Sequence, residues 1–501
     1  MNMIKDFKIY YLTLSSFGLI AIFILLSDFI NVPVFDEFYT ASVVSLFVYV
    51  FSIIVFLSVY RFPVVSFPIL FVMVYGLFHL STMILTVTES YEIAVSRYDY
   101  LHVPSLKIAA EVVILSLAGF VIGAGMANKQ SILSGIQSRK NRKAVREVDY
   151  TKAVNLIAFG LYGCSILIIM YVTLTGEGLS ISMNQGYRAF VDWKNGSSSL
   201  SLTLFMAALN WLLPWSVLMI LGCVKSKKQL ILCAFLAGAG IILMVLAGDR
   251  TAPLSLFILF FVRLYLLKVN LNYVKILPVM ALVFLLIPVL SIMRHEGSSS
   301  WDSEFLVDAI FLEAGDSFRV GLNPISATLI ETSLTFQNLM GTVMVVPKHE
   351  EFRYGVDYLK SLIVGVPFSG KFLEISPPDN SQWIKSWLFP LQMAGPGFSI
   401  SAEIYLQFGN VGVFFFFFGL GYVLTYGWFY VCANANRQQI VMYLLIIMQV
   451  ILSWVRNEFT STVRPIVWCW ILVFVLVPIV QKLLFDNKSR SQVIPRFKPN
   501  H

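Results

Sequence analysis

The run ILCAFLAGAGIILMVLA (231–247), the turn Gly248-Asp249-Arg250-Thr251 and the run APLSLFILFFVRLYLL (252–267) decide the class of this chain. The first run carries no charge and comes close to the length a helix needs to cross roughly 30 Å of hydrocarbon. The second resumes after only four residues. An arginine on such a turn lies at a membrane boundary, where it is costly unless it has a partner or a task.

Outward from this pair the pattern repeats along all 501 residues. Apolar runs of about 18–22 residues recur near 10–30, 41–60, 63–87, 108–127, 153–174, 201–224, 230–247, 252–268, 276–293, 409–432, 440–456 and 465–484. Hydrophobic residues make up 58% of the chain and charged ones 13%, against roughly 45–50% and 25% in soluble domains. Mean hydropathy is +0.78. The expected fold is an all-α polytopic membrane protein of about 12 transmembrane helices. Leu12–Ile30 is followed by Asn31-Val32-Pro33 rather than a small-residue cleavage site, so it is expected to stay as the first helix. Cys164, Cys223, Cys233, Cys432 and Cys469 all sit in apolar runs without CxxC spacing, which argues for packing rather than disulfides or zinc.

Threading the runs alternately puts both termini on one side. That side collects 22 of the 36 basic residues and only 4 of the 28 acids, so the positive-inside rule makes it cytoplasmic. The net charge of +8 therefore marks a membrane face and not a nucleic-acid surface. Arg139-Lys140-Asn141-Arg142-Lys143 reads as an anchor on anionic lipid headgroups. The expected organisation is helices 1–9 over 1–293, an external loop over 294–408, and helices 10–12 with a cytoplasmic tail over 409–501. In the loop, Asn323-Pro324 reads as a helix start, followed by Ile325, Leu329, Phe336, Met340 and Val343 at helical spacing. Ser361–Phe368 is too short to span and reads as interfacial or re-entrant.

Three constellations carry chemistry. The first is arginine on the external face: Arg250, Arg456 and Arg464 on tight turns, with Arg319 and Arg353 in the long loop. Guanidinium forks match phosphate oxygens and stay charged when desolvated, so the set suits a diphosphate; snorkelling or pairing with Asp249 and Glu458 is the alternative. The second is Gly395-Pro396-Gly397-Phe398-Ser399-Ile400-Ser401-Ala402-Glu403, where Ser399 or Ser401 can cap a helix. Glu403 near its start can serve as a general base, or as a helix-dipole carboxylate or arginine partner. The third runs from Glu331 to Leu359 and brings His349, Arg353, Tyr354, Asp357 and Tyr358 together; aromatic rings and carboxylates suit sugars. His79 and His349 each lack a second ligand at metal spacing, so no metal and no cofactor is expected.

The Gly248-x-Arg250 turn, Glu331 ahead of Pro347…Tyr354-Gly355-x-x-Tyr358-Leu359, Gly397…Glu403-x-Tyr405-x-x-Phe408-Gly409, and the late pair Arg456 and Arg464 resemble the bacterial O-antigen polymerase (Wzy) family over roughly residues 230–475. The resemblance implies an inner-membrane glycosyltransferase working on the periplasmic face. Its substrates would be oligosaccharide repeat units on undecaprenyl diphosphate, within membrane lipid, with a chain-length regulator protein as a possible partner. It implies diphosphate binding by Arg250, Arg456 and Arg464, then Arg353 and Arg319. Glu403 would take the acceptor proton, with Glu331 and Asp357 as alternatives, and Tyr354, Tyr358, His349 and Tyr405 would contact sugar. An O-antigen ligase would use the same groups on a different acceptor. A twelve-helix secondary transporter is the rival from another class, opposed by the off-centre loop and the lack of a repeat between halves.

Overall fold

The computed structural model describes residues 2–29, 34–35, 37–88, 103–133, 144–181, 193, 199–247, 251–269, 329, 332–388, 397–434 and 436–486. Among them every regular element is a helix. In chain order these are α1 (Asn2–Phe29), α2 (Phe38–Ile54), α3 (Phe67–His79), α4 (Ser81–Val87), α5 (Val103–Leu133), α6 (Ala144–Leu174), α7 (Leu200–Ala207), α8 (Leu213–Cys223), α9 (Lys227–Leu246), α10 (Thr251–Leu266), α11 (Leu334–Val345), α12 (Val356–Gly365), α13 (Ser369–Phe372), α14 (Asn380–Leu388), α15 (Ile400–Asn434), α16 (Arg437–Ile447), α17 (Trp454–Arg456), α18 (Phe459–Ile471) and α19 (Val477–Gln481). Short π-helical turns follow α2, α7, α16, α18 and α19.

Nine helical stretches among the described residues are long and apolar enough to cross a membrane. Phe67–His79 and Ser81–Val87 form a further pair bent by 58°, and Ala252–Leu266 is a shorter apolar helix. These occupy the expected positions except 276–293, which lies outside the described residues. Several serine hydroxyls within the spans are satisfied locally. Ser42, Ser45, Ser52 and Ser116 each donate to the carbonyl four residues back, at 2.7–2.8 Å.

The chain divides into two compact units. One comprises Met1–Gln137, Lys268–Ala433 and Ile447–Pro465. Its centre is α5, 89% buried over its most apolar window where Ile9–Phe29 is 28% buried. Helices α1, α2 and α11 pack on α5, and Phe56, Phe71, Phe120, Phe417 and Tyr75 stack edge and face in its core. Helix α11, from the long loop, is buried along nearly its whole length. Phe336, Met340 and Val343 lie inward, as their spacing predicts.

The other unit comprises Ser138–Leu267, Asn434–Ile446 and Ile466–His501. There α6 packs on α8 and α19. Arg263 is 5% exposed and gives Nε to the Leu221 carbonyl (3.0 Å) and Nη2 to that of Val224 (2.9 Å). It thereby satisfies the orphan carbonyls at the end of α8. Arg437 donates to Thr151 Oγ1 at 2.7 Å.

Small residues let α5 and α15 touch through their backbones. A Cβ at Gly119 would lie 2.5 Å from the Phe414 carbonyl oxygen, and one at Gly123 only 1.9 Å from that of Phe418. One at Gly421 would lie 2.2 Å from the Phe120 carbonyl oxygen. Gly119 and Gly123 have the four-residue spacing by which membrane helices approach closely. We expect Gly123→Val to push the pair apart at a cost of about 1–3 kcal/mol. A thermal shift in detergent reads this: the variant melts lower, while Gly419→Ala, at a position with open space around it, does not.

Candidate functional site

Helix α15 starts where Ser399 caps it: Ser399 Oγ accepts from Ala402 N at 3.3 Å. Gly397 before it has φ +83°, and a Cβ there would lie 3.0 Å from the Arg456 carbonyl oxygen, which accepts from Phe398 N at 3.0 Å. The same Ser399 hydroxyl meets His79 Nε2 at 2.8 Å, and His79 Nδ1 faces the Tyr75 carbonyl at 3.2 Å. A carbonyl only accepts, so Nδ1 carries the proton and Nε2 accepts from Ser399. His79 is thus a fully buried neutral link between α3 and α15, stacked on Tyr75 at 4.1 Å.

One turn on, Glu403 is 1% exposed. Phe459 N donates to both of its carboxylate oxygens, at 3.0 and 2.9 Å, and Trp454 Nε1 to Oε2 at 3.0 Å. Asn380 Nδ2 stands 3.5 Å from Oε1. Phe459 opens α18, so its N–H has no partner within that helix, and the carboxylate caps it. The π-helical turn Met448–Ser453 immediately precedes Trp454, which reaches Glu403.

Helix α15 breaks at Gly409 (φ +65°, ψ −162°), where a Cβ would meet the Phe352 ring at 3.2 Å. Next to the break, the Leu406 and Gln407 carbonyls accept from Arg353 N (3.1 Å) and Tyr354 N (3.0 Å), and Gln407 Oε1 accepts from Gly355 N (3.0 Å). This lays segment 352–355 along α15. Asp357, 5% exposed, then sits between Arg353 Nη1 (2.9 Å) and Gln407 Nε2 (2.8 Å). Arg353 also donates to Asn380 Oδ1 at 2.8 Å, approaches Glu350 at 3.7 Å and lies over the Trp383 ring.

Asn380 links these groups: besides Arg353 and Glu403, its backbone N–H donates to Glu458 Oε2 at 2.8 Å. Asp379 Oδ1 accepts from Gln382 N at 2.9 Å, so Asp379 and Glu458 share the start of α14. Burial pushes the Glu458 carboxyl up to about 7; the Asn380 and Ser381 N–H groups pull it down, and Asp379 and Asp357 add to the rise. Thr460 Oγ1 meets Ser361 Oγ of α12 at 2.7 Å.

Of the residues singled out in sequence, Glu403, Asp357 and Arg353 come together in this network, and Arg456 lies on the turn it holds, its guanidinium 5.9 Å above the Phe78 ring. Arg464 lies half-buried on α18, with no ion pair among the described residues. Tyr358 packs its ring against Phe408, Phe416 and Phe459, and its hydroxyl is buried without a hydrogen-bond partner among the described residues. Tyr405 is 6% exposed and its hydroxyl reaches the Val346 carbonyl. Tyr354 and His349 are exposed, His349 over Trp387 at 5.8 Å. Arg250, Arg319 and Glu331 lie outside the described residues. Asn380, Gln407 and Trp454 were not legible as site residues, and Glu458 was legible only as an arginine partner. Asp379-Asn380 after Pro377-Pro378 is a helix-start signal that could have drawn attention to the first of them.

No curated protein and no solved structure matches the chain. The family profile described as O-antigen polysaccharide polymerase Wzy matches residues 14–488. That match spans nearly the whole sequence, and the chain belongs to the O-antigen polysaccharide polymerase Wzy family.

Proposed function

We propose that this membrane polymerase lengthens its polysaccharide by glycosyl transfer between repeat units carried on undecaprenyl diphosphate, on the periplasmic face of the inner membrane. Both termini then lie in the cytoplasm, as the asymmetry of basic residues favours. The acceptor hydroxyl attacks the anomeric carbon of the donor glycan, the bond from that carbon to the diphosphate oxygen breaks, and the hydroxyl proton passes to a carboxylate. A chain-length regulator remains a partner in this reading. The observation that carries it is the turn 456–459, which bears Arg456 and Glu458 and is held by bonds to Phe398, Asn380 and Glu403.

The sequence favours Glu403 as the proton acceptor. Its oxygens face donors and its side chain is closed off, which suits it to holding the turn. We therefore assign proton transfer to Glu458, with Asp357 and Glu331 behind it. We assign the developing charge on the diphosphate to Arg456, Arg464 and Arg250, the arginines the sequence places on external turns, with Arg319 and Arg353, the latter bonded to Asp357 and Asn380, behind them. Exposed Tyr354 and His349 fit sugar faces better than packed Tyr358 and Tyr405.

Repeat-unit polymerisation by purified protein in liposomes tests the assignment. The Glu458→Gln substitution keeps a side-chain oxygen for the Asn380 N–H, so the variant should fold normally and lose about 10²–10⁴-fold in kcat. Glu403→Gln places an NH₂ against N–H donors and should lower thermal stability and activity together. Near-wild-type polymer from Glu458→Gln would overturn the base assignment.

A base must be ionised to act, so the rate should rise with pH through about 7, the level to which burial, with Asp379 and Asp357, raises the Glu458 carboxyl. Glu458→Gln should remove that limb of the profile.

Alanine at Arg456, Arg464 or Arg250 should depress kcat, and full activity should survive EDTA because arginines neutralise the leaving group. Loss in EDTA with recovery on adding Mg²⁺ would contradict the arginine account.

A further inference from the structure

Among the described residues, helix α12 and the segment after it leave a continuous apolar face uncovered. Val356, Leu359 and Leu362 recur every third residue and are 47%, 63% and 47% exposed. Val366, Phe368, Phe372 and Leu373 extend the face, with Phe368 and Phe372 83% and 87% exposed. The opposite side of α12 is fixed to the protein: Asp357 through Arg353 and Gln407, Ser361 through Thr460, and Val364 by burial. The bare face is therefore held outward by bonded contacts on its back.

What covers it is indicated by what it adjoins. Tyr358 stacks on Phe408 and Phe416 of α15, so α12 lies against that membrane span. On α15, Phe408, Val411 and Phe415 are 43%, 54% and 64% exposed. Side chains this apolar on a membrane span face acyl chains, and the α12 face continues their surface at the end of the span. Lys360 and Lys371 are exposed beside it, placed as snorkelling lysines are around an interfacial helix.

We propose that residues 354–373 dock in the headgroup–acyl boundary of the bilayer, with Lys360 and Lys371 on anionic phospholipid phosphates, and that the Ser361–Thr460 hydrogen bond ties this docking to the turn carrying Arg456 and Glu458. The surface sets the depth of that turn at the level of lipid phosphates. The docking rests on the membrane spans and not on the reaction, so it is tested without turnover.

An environment-sensitive fluorescent amino acid is introduced by amber suppression at Leu359 or Phe372 of the full chain, in nanodiscs of phosphatidylethanolamine and phosphatidylglycerol. Emission should shift to the blue and be quenched by lipids brominated on the acyl chain, whereas the same probe at exposed Gln382 should stay quenchable by iodide. Lys360→Glu with Lys371→Glu should reduce the blue shift in anionic nanodiscs and leave it unchanged in purely zwitterionic ones. Iodide quenching at Leu359 and Phe372 equal to that at Gln382 would overturn the proposal. So would protection that appears only with two copies per disc, which would mean that a second chain covers the face. If docking is upheld and Glu458→Gln is fully active, the chemistry fails and the surface stands.

Discussion

The structure around the candidate site depends on one buried carboxylate. Glu403 has no access to water, and an unpaired carboxylate in that position would cost several kcal/mol. It is tolerated because the turn 454–459 brings an indole N–H and a helix-opening amide to it. The dependence is mutual: Phe459 N would be an orphan donor at the start of α18 without Glu403. A tie across more than fifty residues fixes the start of α18 against the start of α15.

The same device is used twice. Glu403 caps α18, and Glu458, one residue before α18, caps α14. Each carboxylate closes the helix that follows a different segment, and Asn380 joins both to Arg353. The break at Gly409 feeds this arrangement, because it turns the Leu406 and Gln407 carbonyls and the Gln407 amide toward segment 353–355. A straight α15 would offer that segment nothing to pair with. The broken helix, the capped helices and the buried charges are one construction.

The membrane architecture was legible because hydrocarbon imposes a length and a composition on each span, and both appear in the one-dimensional sequence. Phe336, Met340 and Val343 faced inward as their spacing required. The boundary expected at Gly409 coincides with a non-helical residue, and a further helical stretch from Ile400 leads into it; apolar content alone does not show that preceding stretch. Glu403, Asp357 and Arg353 were found as residue types suited to chemistry. Their assembly was not legible, since Asn380, Trp454 and Phe459 join it through an amide, an indole and a backbone N–H that carry no charge pattern. Gly119 and Gly123 passed unremarked because their role lies in a partner backbone far along the chain.

Three arginines selected by the same argument meet different surroundings. Arg353 is surrounded by two carboxylates, an amide and an indole; Arg456 rests near a phenyl ring on a fixed turn; Arg464 has no ion pair among the described residues. In Arg353 the guanidinium donors are already taken up by protein acceptors, which makes it part of the framework of the site. The described residues of the long loop contribute mainly scaffold: α11 is buried, α14 presents its first residues to Glu458, and Ser361 holds Thr460. The short turn between α16 and α18 is what that scaffold fixes in place. A large loop that holds a small turn explains how a polar site can be rigid at a membrane boundary, where few other polar partners exist.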